Sequence, residues 1–297
     1  MCISKYLSAL VLCLLAVASA KADEQTEKRE ARRAAWAAIG VQDFEAKPVK
    51  ALSAKKIAEF PAIEAGQGAA ADDKYFYAIV NYVIGKYRRD NGEFVSRWVG
   101  TRGGPIGHLN SCFPEGGKLL CANSNHPNLP MASSIEVFDT KTMTHIDSKS
   151  LGVMDEGSLV WFDHYKDGWI AGFAHYDDDT GLPFKDHNYA SVVTYDSEWR
   201  RTGGYALPKA VLDRMAPQAA SGGAIGNDGR LYLLGHDRRE MYVMEFPKMG
   251  PVLQHVATID VPTEGQAFAF DSKNPRQVWG ISRPRRSVVF YELPLMD

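Results

Sequence analysis

The sequence has no Gly-x-Ser-x-Gly elbow, no Gly-rich phosphate loop ending in Lys-Ser or Lys-Thr, and no His-Glu-x-x-His pair. The nucleophilic, nucleotide and zinc-protease chemistries tied to those motifs therefore lose their support. No apolar run reaches the roughly 20 residues that a bilayer span requires; the run from Leu7 to Val17 is too short. Basic residues are not in excess, with 34 Lys plus Arg against 36 Asp plus Glu. A weakly acidic chain without a basic stripe lacks the electrostatic footprint of a nucleic-acid binder. Cysteine is scarce, at four residues.

The run Leu7–Val17 follows Lys5 and ends in Ala18-Ser19-Ala20, the pattern of a secretory signal peptide. Cleavage after Ala20 or Ala22 is compatible with the small residues there, and the expected leader spans residues 1–22. A lipoprotein would need its modified Cys just after the apolar run, whereas Cys13 lies inside it. The mature chain is expected to be secreted or periplasmic, without a membrane span, and monomeric. Loss of Lys5 and Lys21 with the leader makes its net charge more negative than the −2 of the whole chain.

Cys2 and Cys13 leave with the leader, so Cys112 and Cys121 remain, and two thiols in an exported protein suggest one disulfide. Hairpin register supports it. A two-residue turn at Gly116-Gly117 sets Glu115 against Lys118, Pro114 against Leu119, Phe113 against Leu120 and Cys112 against Cys121. In a non-hydrogen-bonded pair the Cα atoms lie about 4.5 Å apart, within disulfide reach.

Thirteen Tyr, thirteen Phe, six Trp and 26 Gly favour strands and tight turns. Residues 23–50 read as a helical arm, with good helix formers from Asp23 to Ile39 and Gly40 as terminator. From residue 51 the chain repeats a unit: small residues, an apolar strand, a turn of Asp, Asn, Gly or Lys, then an aromatic and β-branched strand. The five turns are Ala71-Asp72-Asp73-Lys74, Glu115-Gly116-Gly117-Lys118, Lys166-Asp167-Gly168, Asn227-Asp228-Gly229 and Asp271-Ser272-Lys273-Asn274. Third strands follow at Glu93–Val99, Ser134–Phe138, Ser191–Tyr195, Met241–Phe246 and Ser287–Tyr291. In the first unit Asn81–Arg89 must hold a strand extension or a bulged start of the third strand. The expected fold is an all-β, five-bladed β-propeller over residues 51–297.

The last unit ends one strand short. Residues 56–67, Lys-Ile-Ala-Glu-Phe-Pro-Ala-Ile-Glu-Ala-Gly-Gln, echo residues 257–266, Ala-Thr-Ile-Asp-Val-Pro-Thr-Glu-Gly-Gln. Ala54–Phe60 is therefore expected to supply the missing strand beside Ser287–Tyr291 and close the ring.

Ile135-Glu136-Val137-Phe138-Asp139 followed by Thr140-Lys141, and Val193-Thr194-Tyr195-Asp196, resemble secreted bacterial propellers of the broad lactonase-like and gluconolactonase-like superfamily. The resemblance covers roughly residues 55–297 and lies in structural repeats. It implies hydrolase or lactonase activity assisted by calcium, held on the axis by Glu and Asn or Asp. Gluconolactonase-like proteins usually have six blades; five are counted here, and the whole ligand set does not align.

In each blade the first strand starts where the second ends, so two rings of residues share one face. Gln67, His108, Glu156 or Ser158, Gln218 and Gln266 form the first ring; Asn81, Asn123, His175, His236 and Arg283 form the second. The long loops 124–130 and 176–188 open on this face, and scaffolded loops commonly carry sites.

Three readings compete. Polar strand ends can simply satisfy backbone groups and channel water. A metal site could draw imidazoles from His108, His175 and His236, or calcium-type oxygens from Glu156, Glu264, Asn110 and Asn123; Asp177-Asp178-Asp179-Thr180-Gly181 resembles a calcium loop only loosely. Without a metal, His175 or His236 would act as general base beside Arg283 or Arg102, with His108, Asn110, Asn123 and Gln266 binding ligand. Tyr176, Phe184 and Tyr189 suit a sugar. The expected partner is a small oxygenated metabolite or sugar, acted on by a hydrolase or merely bound; a protein-interaction propeller is the alternative.

Overall fold

The computed structural model describes the backbone of residues 3–296 and side chains from Lys21 onward. The leader expectation, with Cys2 and Cys13, falls on residues whose side chains lie outside the described set. The chain forms two compact units, Met1–Lys47 and Pro48–Asp297. In the first, one helix spans Ile3–Ala38, so the helix expected from Asp23 begins far earlier. Gly40, at φ +91°, ends it as expected and donates its N–H to Ala37 O. No helix among the described residues is long and apolar enough to cross a membrane.

The second unit is a five-bladed propeller. Blade 1 comprises Gly68–Ala71, Tyr75–Val80, Val83–Arg88 and Phe94–Val99; blade 2 comprises His108–Glu115, Lys118–Ser124, Ala132–Asp139 and Thr144–Val153. Blade 3 comprises Ser158–Tyr165, Gly168–Ala174, Ser191–Tyr195 and Arg201–Ala206. Blade 4 comprises Gly222–Ile225, Leu231–Leu234, Glu240–Glu245 and Gln254–Asp260, with Lys50–Ser53 added as a parallel fifth strand. Blade 5 comprises Ala269–Phe270, Gln277–Ser282, Ser287–Glu292 and the N-terminal strand Lys55–Pro61. That strand runs antiparallel to Ser287–Glu292, with Phe60 opposite Val288, and closes the ring as expected.

One strand assignment needs correction. The third strand of blade 1 is Val83–Arg88, not Glu93–Val99, which is the fourth. Asn81 at φ +44° turns the chain within two residues and pairs Val80 with Val83. Asn tolerates the left-handed conformation that such tight hairpins need, but Asn-Tyr is not the Asn-Gly pair that signals one.

Blades pack through apolar faces with little room to spare. Trp161 of blade 3, fully buried, lies over Gly172 and Gly223, where a Cβ would fall 2.1 and 2.4 Å from its ring. Only glycine permits that approach. Asp163 of blade 3 accepts the Ile225 N–H of blade 4 at 2.8 Å. Between blades 5 and 1, Phe60, Phe76, Trp279 and Phe290 stack, and Arg89 pairs with the buried Asp271.

Cys112 and Cys121 are bonded, with Cα atoms 4.0 Å apart, in the register read from the turn. The closed loop is short, so the bridge should contribute roughly 2 to 3 kcal/mol by restricting the unfolded chain. Reduction under native conditions is expected to lower the unfolding free energy by that amount, which moves the urea midpoint down by about 1 M. An unchanged midpoint after complete alkylation of both thiols would show that the hairpin holds without it.

Candidate functional site

The antiparallel geometry brings the starts of the five innermost strands and the ends of the five second strands to one end of the ring axis. Here a small cavity of about 220 Å³ is lined by residues of every blade. Gln67 comes from blade 1; His108, Asn110 and His126 from blade 2; Tyr176, Asp178 and Thr180 from blade 3. Gln218, Ser221 and His236 come from blade 4, and Gln266 and Arg283 from blade 5. Its volume is below the roughly 300–1,000 Å³ of drug-sized sites, so an occupant is small.

Of the residues expected at the site, His108, Asn110, His236, Gln266 and Arg283 line this cavity, with Gln67 and Gln218. Asn81 lies just behind, its Oδ1 3.3 Å from Gln67 Nε2 and 3.1 Å from His108 Nδ1. Apart from Tyr176, the other expected residues lie outside this lining. Asn123 is buried in blade 2, where its amide accepts the His108 N–H at 3.1 Å and donates to Ser134 Oγ at 3.0 Å. His175 is 1% exposed and packs against Gly157 and the edge of Tyr189, away from the cavity lining.

Glu156 pairs with Arg201 at 3.2 Å and Glu264 with Arg285 at 3.3 Å. The calcium-type donor set therefore does not assemble in the cavity, whose lining holds one carboxylate, Asp178. Arg102 donates instead to Tyr82 Oη. Phe184 and Tyr189 stay on the surface, whereas Tyr176 is buried in the cavity wall.

Sequence reading gave His126 and Ser221 no role, and noted Asp178 and Thr180 only within a loosely calcium-like acidic turn. They arrive on the two long loops and before the first strand of blade 4, so no strand-end position marked them. Loop length was the available signal: the His126 ring packs at a tilt against His108, 4.8 Å between centroids, and against Tyr176 at 4.7 Å, making a row of three rings. The acidic loop mostly serves itself. Asp178 accepts the Thr180 N–H at 3.0 Å, and Asp177 holds His187 at 2.8 Å. Asp177, Asp186 and His187 form the one grouping of three potential ligands among the described residues, outside the cavity.

Burial governs the electrostatics. It pushes His108 down to about 4, helped by repulsion from His126, and also lowers His126 and His236, the latter with a contribution from Arg283. All three imidazoles are neutral at pH 7. Asp178 is held below the usual carboxylate range, chiefly by the Thr180 hydroxyl, and stays ionised. Arg283 is the cavity's one cationic side chain. Two polar atoms in the wall, Asn110 Oδ1 and His126 Nδ1, are buried without a protein partner. Such atoms cost stability unless water or a ligand meets them.

No protein-family model matches the chain, and no curated protein matches it. Among solved structures, the chain is similar to Myxococcus xanthus glutaminyl cyclase, with a TM-score of 0.54 at 9% identity over 84% of this chain and 100% of that one. It is also similar to a luciferin-regenerating enzyme, with a TM-score of 0.50 at 11% identity over 82% of this chain and 95% of that one. At such identities the likeness is one of fold. The lactonase-like resemblance accordingly stands at the level of propeller architecture.

Proposed function

We propose that the mature chain is an exported propeller that binds a small, oxygen-rich molecule, the size of a hydroxy acid or a monosaccharide, in the axial cavity. The observation that carries this reading is convergence: amides, imidazoles, hydroxyls and one guanidinium from all five blades meet in a space too small for a macromolecule. Unpartnered Asn110 Oδ1 and His126 Nδ1 in the wall support it, because a ligand with hydroxyl groups can both donate and accept there.

Catalysis is a second reading, favoured by His108. Its Nδ1 is oriented by Asn81 Oδ1, in turn held by Gln67, which leaves a neutral Nε2 to accept a proton from bound ligand. The two similar structures carry enzyme names, so this architecture accommodates catalysis. Metal-assisted hydrolysis through Glu156 and Glu264 has no support in their positions.

The test is calorimetric titration with glucose, xylose, lactate, lactamide and glycerate. At least one is expected to bind, and Thr180→Trp, which fills the cavity from its loop side, should abolish that binding with little change in melting temperature. No binding by any member, or binding indifferent to Thr180→Trp, would place the site elsewhere. Turnover lost in His108→Gln with binding retained would favour the catalytic reading.

A further inference from the structure

We infer that the ligand of this cavity is a small hydroxy monocarboxylate whose carboxylate docks on Arg283, and that Asp237 and His236 aim that guanidinium. The inference rests on the cavity being the binding site and names the chemistry it recognises.

Arg283 is set apart by its partners. Its neighbour Arg285 is paired with Glu59 at 2.7 Å and with Glu264 at 3.3 Å. Arg283, by contrast, makes no ion pair among the described residues; its hydrogen bond runs from Nη1 to His236 Nε2 at 2.7 Å. A guanidinium held against an imidazole instead of a carboxylate is not spent in a direct ion pair and stays available to an anionic ligand in a partly enclosed site. The free donors are Nε and Nη2, which form one edge of the planar fork and match the two oxygens of a carboxylate.

The tautomer of His236 follows from its partners. Arginine only donates, so Nε2 must be the accepting nitrogen. Nδ1 then carries the proton and donates it to Asp237 Oδ1, 2.6 Å away. An imidazole whose basic nitrogen is occupied by Arg283 is not free to take a proton from substrate. His236, expected as a general base, is thus a positioning residue: Asp237 fixes the ring, and the ring fixes the fork. Asp237 is mostly exposed, so it orients the ring without neutralising the cavity.

The rest of the wall sets the ligand's other end. Asp178, the cavity's one carboxylate, is exposed to solvent on its loop, which screens its charge, and it accepts from Thr180. Unpartnered Asn110 Oδ1 needs a donor, and the Gln67 and Gln218 amides line the same space. Hydroxyl groups satisfy these amides; a second negative charge would meet no second cation. That selects one carboxylate with adjacent hydroxyls.

Titration with matched pairs tests this: lactate against lactamide and glycerate against glyceramide, with inorganic phosphate as a further probe. In the unaltered protein the acid should bind at least about 30-fold more tightly than its amide. Arg283→Gln should bring that ratio within about threefold at an unchanged melting temperature. Asp237→Asn should weaken the acid about tenfold, spare the amide, and convert the ¹⁵N signature of His236 from the Nδ1–H form to a mixture. An amide that binds as tightly as its acid overturns the carboxylate assignment and leaves the cavity reading intact. Phosphate matching the acids overturns it in favour of a general anion site. If no probe, charged or neutral, binds, both readings fall together.

Discussion

A chain beginning at Ile63 is expected to show no cooperative unfolding transition, while one beginning at Pro48 unfolds like the full-length protein. The longer truncation removes Lys55–Pro61, the outer strand of blade 5, and strips the ladder from Ser287–Glu292. It also removes Phe60, which stacks on Phe76 of blade 1 at 5.3 Å and on Trp279 of blade 5 at 6.3 Å. Glu59 goes too; it accepts hydrogen bonds from Ser287 Oγ and Arg285 Nε, and Ser287 foremost holds it down at about 2. These losses fall together on the seam between last and first blades. Domain stability is only about 5–15 kcal/mol, so an open ring with an unpaired edge is not expected to survive. Circular dichroism in urea measures it, and a peptide of residues 48–61 added in trans should restore the transition. An unchanged midpoint in the Ile63 chain would refute closure by this strand.

Stability should fall steeply between pH 6.5 and 4. Burial lowers His108, to about 4, and lowers His126, His175, His236 and His255 below the ordinary value of 6.5. The unfolded chain therefore binds more protons than the folded one once the pH drops below 6.5, and stability falls with it. The contribution is fully present above the unfolded value and is lost as the pH falls through the folded one. For His108 alone the displacement corresponds to roughly 3 kcal/mol. At about 2–4 °C per kcal/mol for a chain of this size, the melting temperature should drop by about 10 °C or more from pH 7.5 to pH 4. His108→Gln retains a donor for Asn81 and should recover a sizeable part of that drop. A flat profile across this range would mean that the imidazoles are hydrated in the folded state. Carboxylates such as Glu59, held low by their partners, add a separate loss at lower pH.

How far the fold was legible depended on whether a local signal existed. The Gly116-Gly117 turn fixed its own register, and with it the Cys112–Cys121 pair, because hairpin pairing follows from turn length alone. The echo between residues 56–67 and 257–266 exposed the closing strand, since both segments do the same job at a blade edge. Blade 1 was misread where Asn81 replaced a two-residue glycine turn with one left-handed Asn. The parallel strand Lys50–Ser53 beside Gln254–Asp260 had no signal at all, being four residues long and ordered by its partner.

By itself, the sequence determined that this is a five-fold repeat of hairpins closed by its own N-terminal segment, with polar residues at the strand ends of one face. Periodicity, turn residues and register act over a few positions and are written in order along the chain. Only the tertiary structure decided which of those polar residues point at one another. It buried His175 and Asn123 outside the cavity lining, gave Glu156 and Glu264 to arginines, brought His126 and Asp178 in on loops, and set Arg283 against His236 without a carboxylate. The physical reason is that strand-end position fixes the end of the axis a residue occupies, whereas rotamer, partner and protonation state are fixed by neighbours from other blades. In this ring those neighbours stand far away in sequence, as Arg283 does from His236 and Gln67 from Ala267.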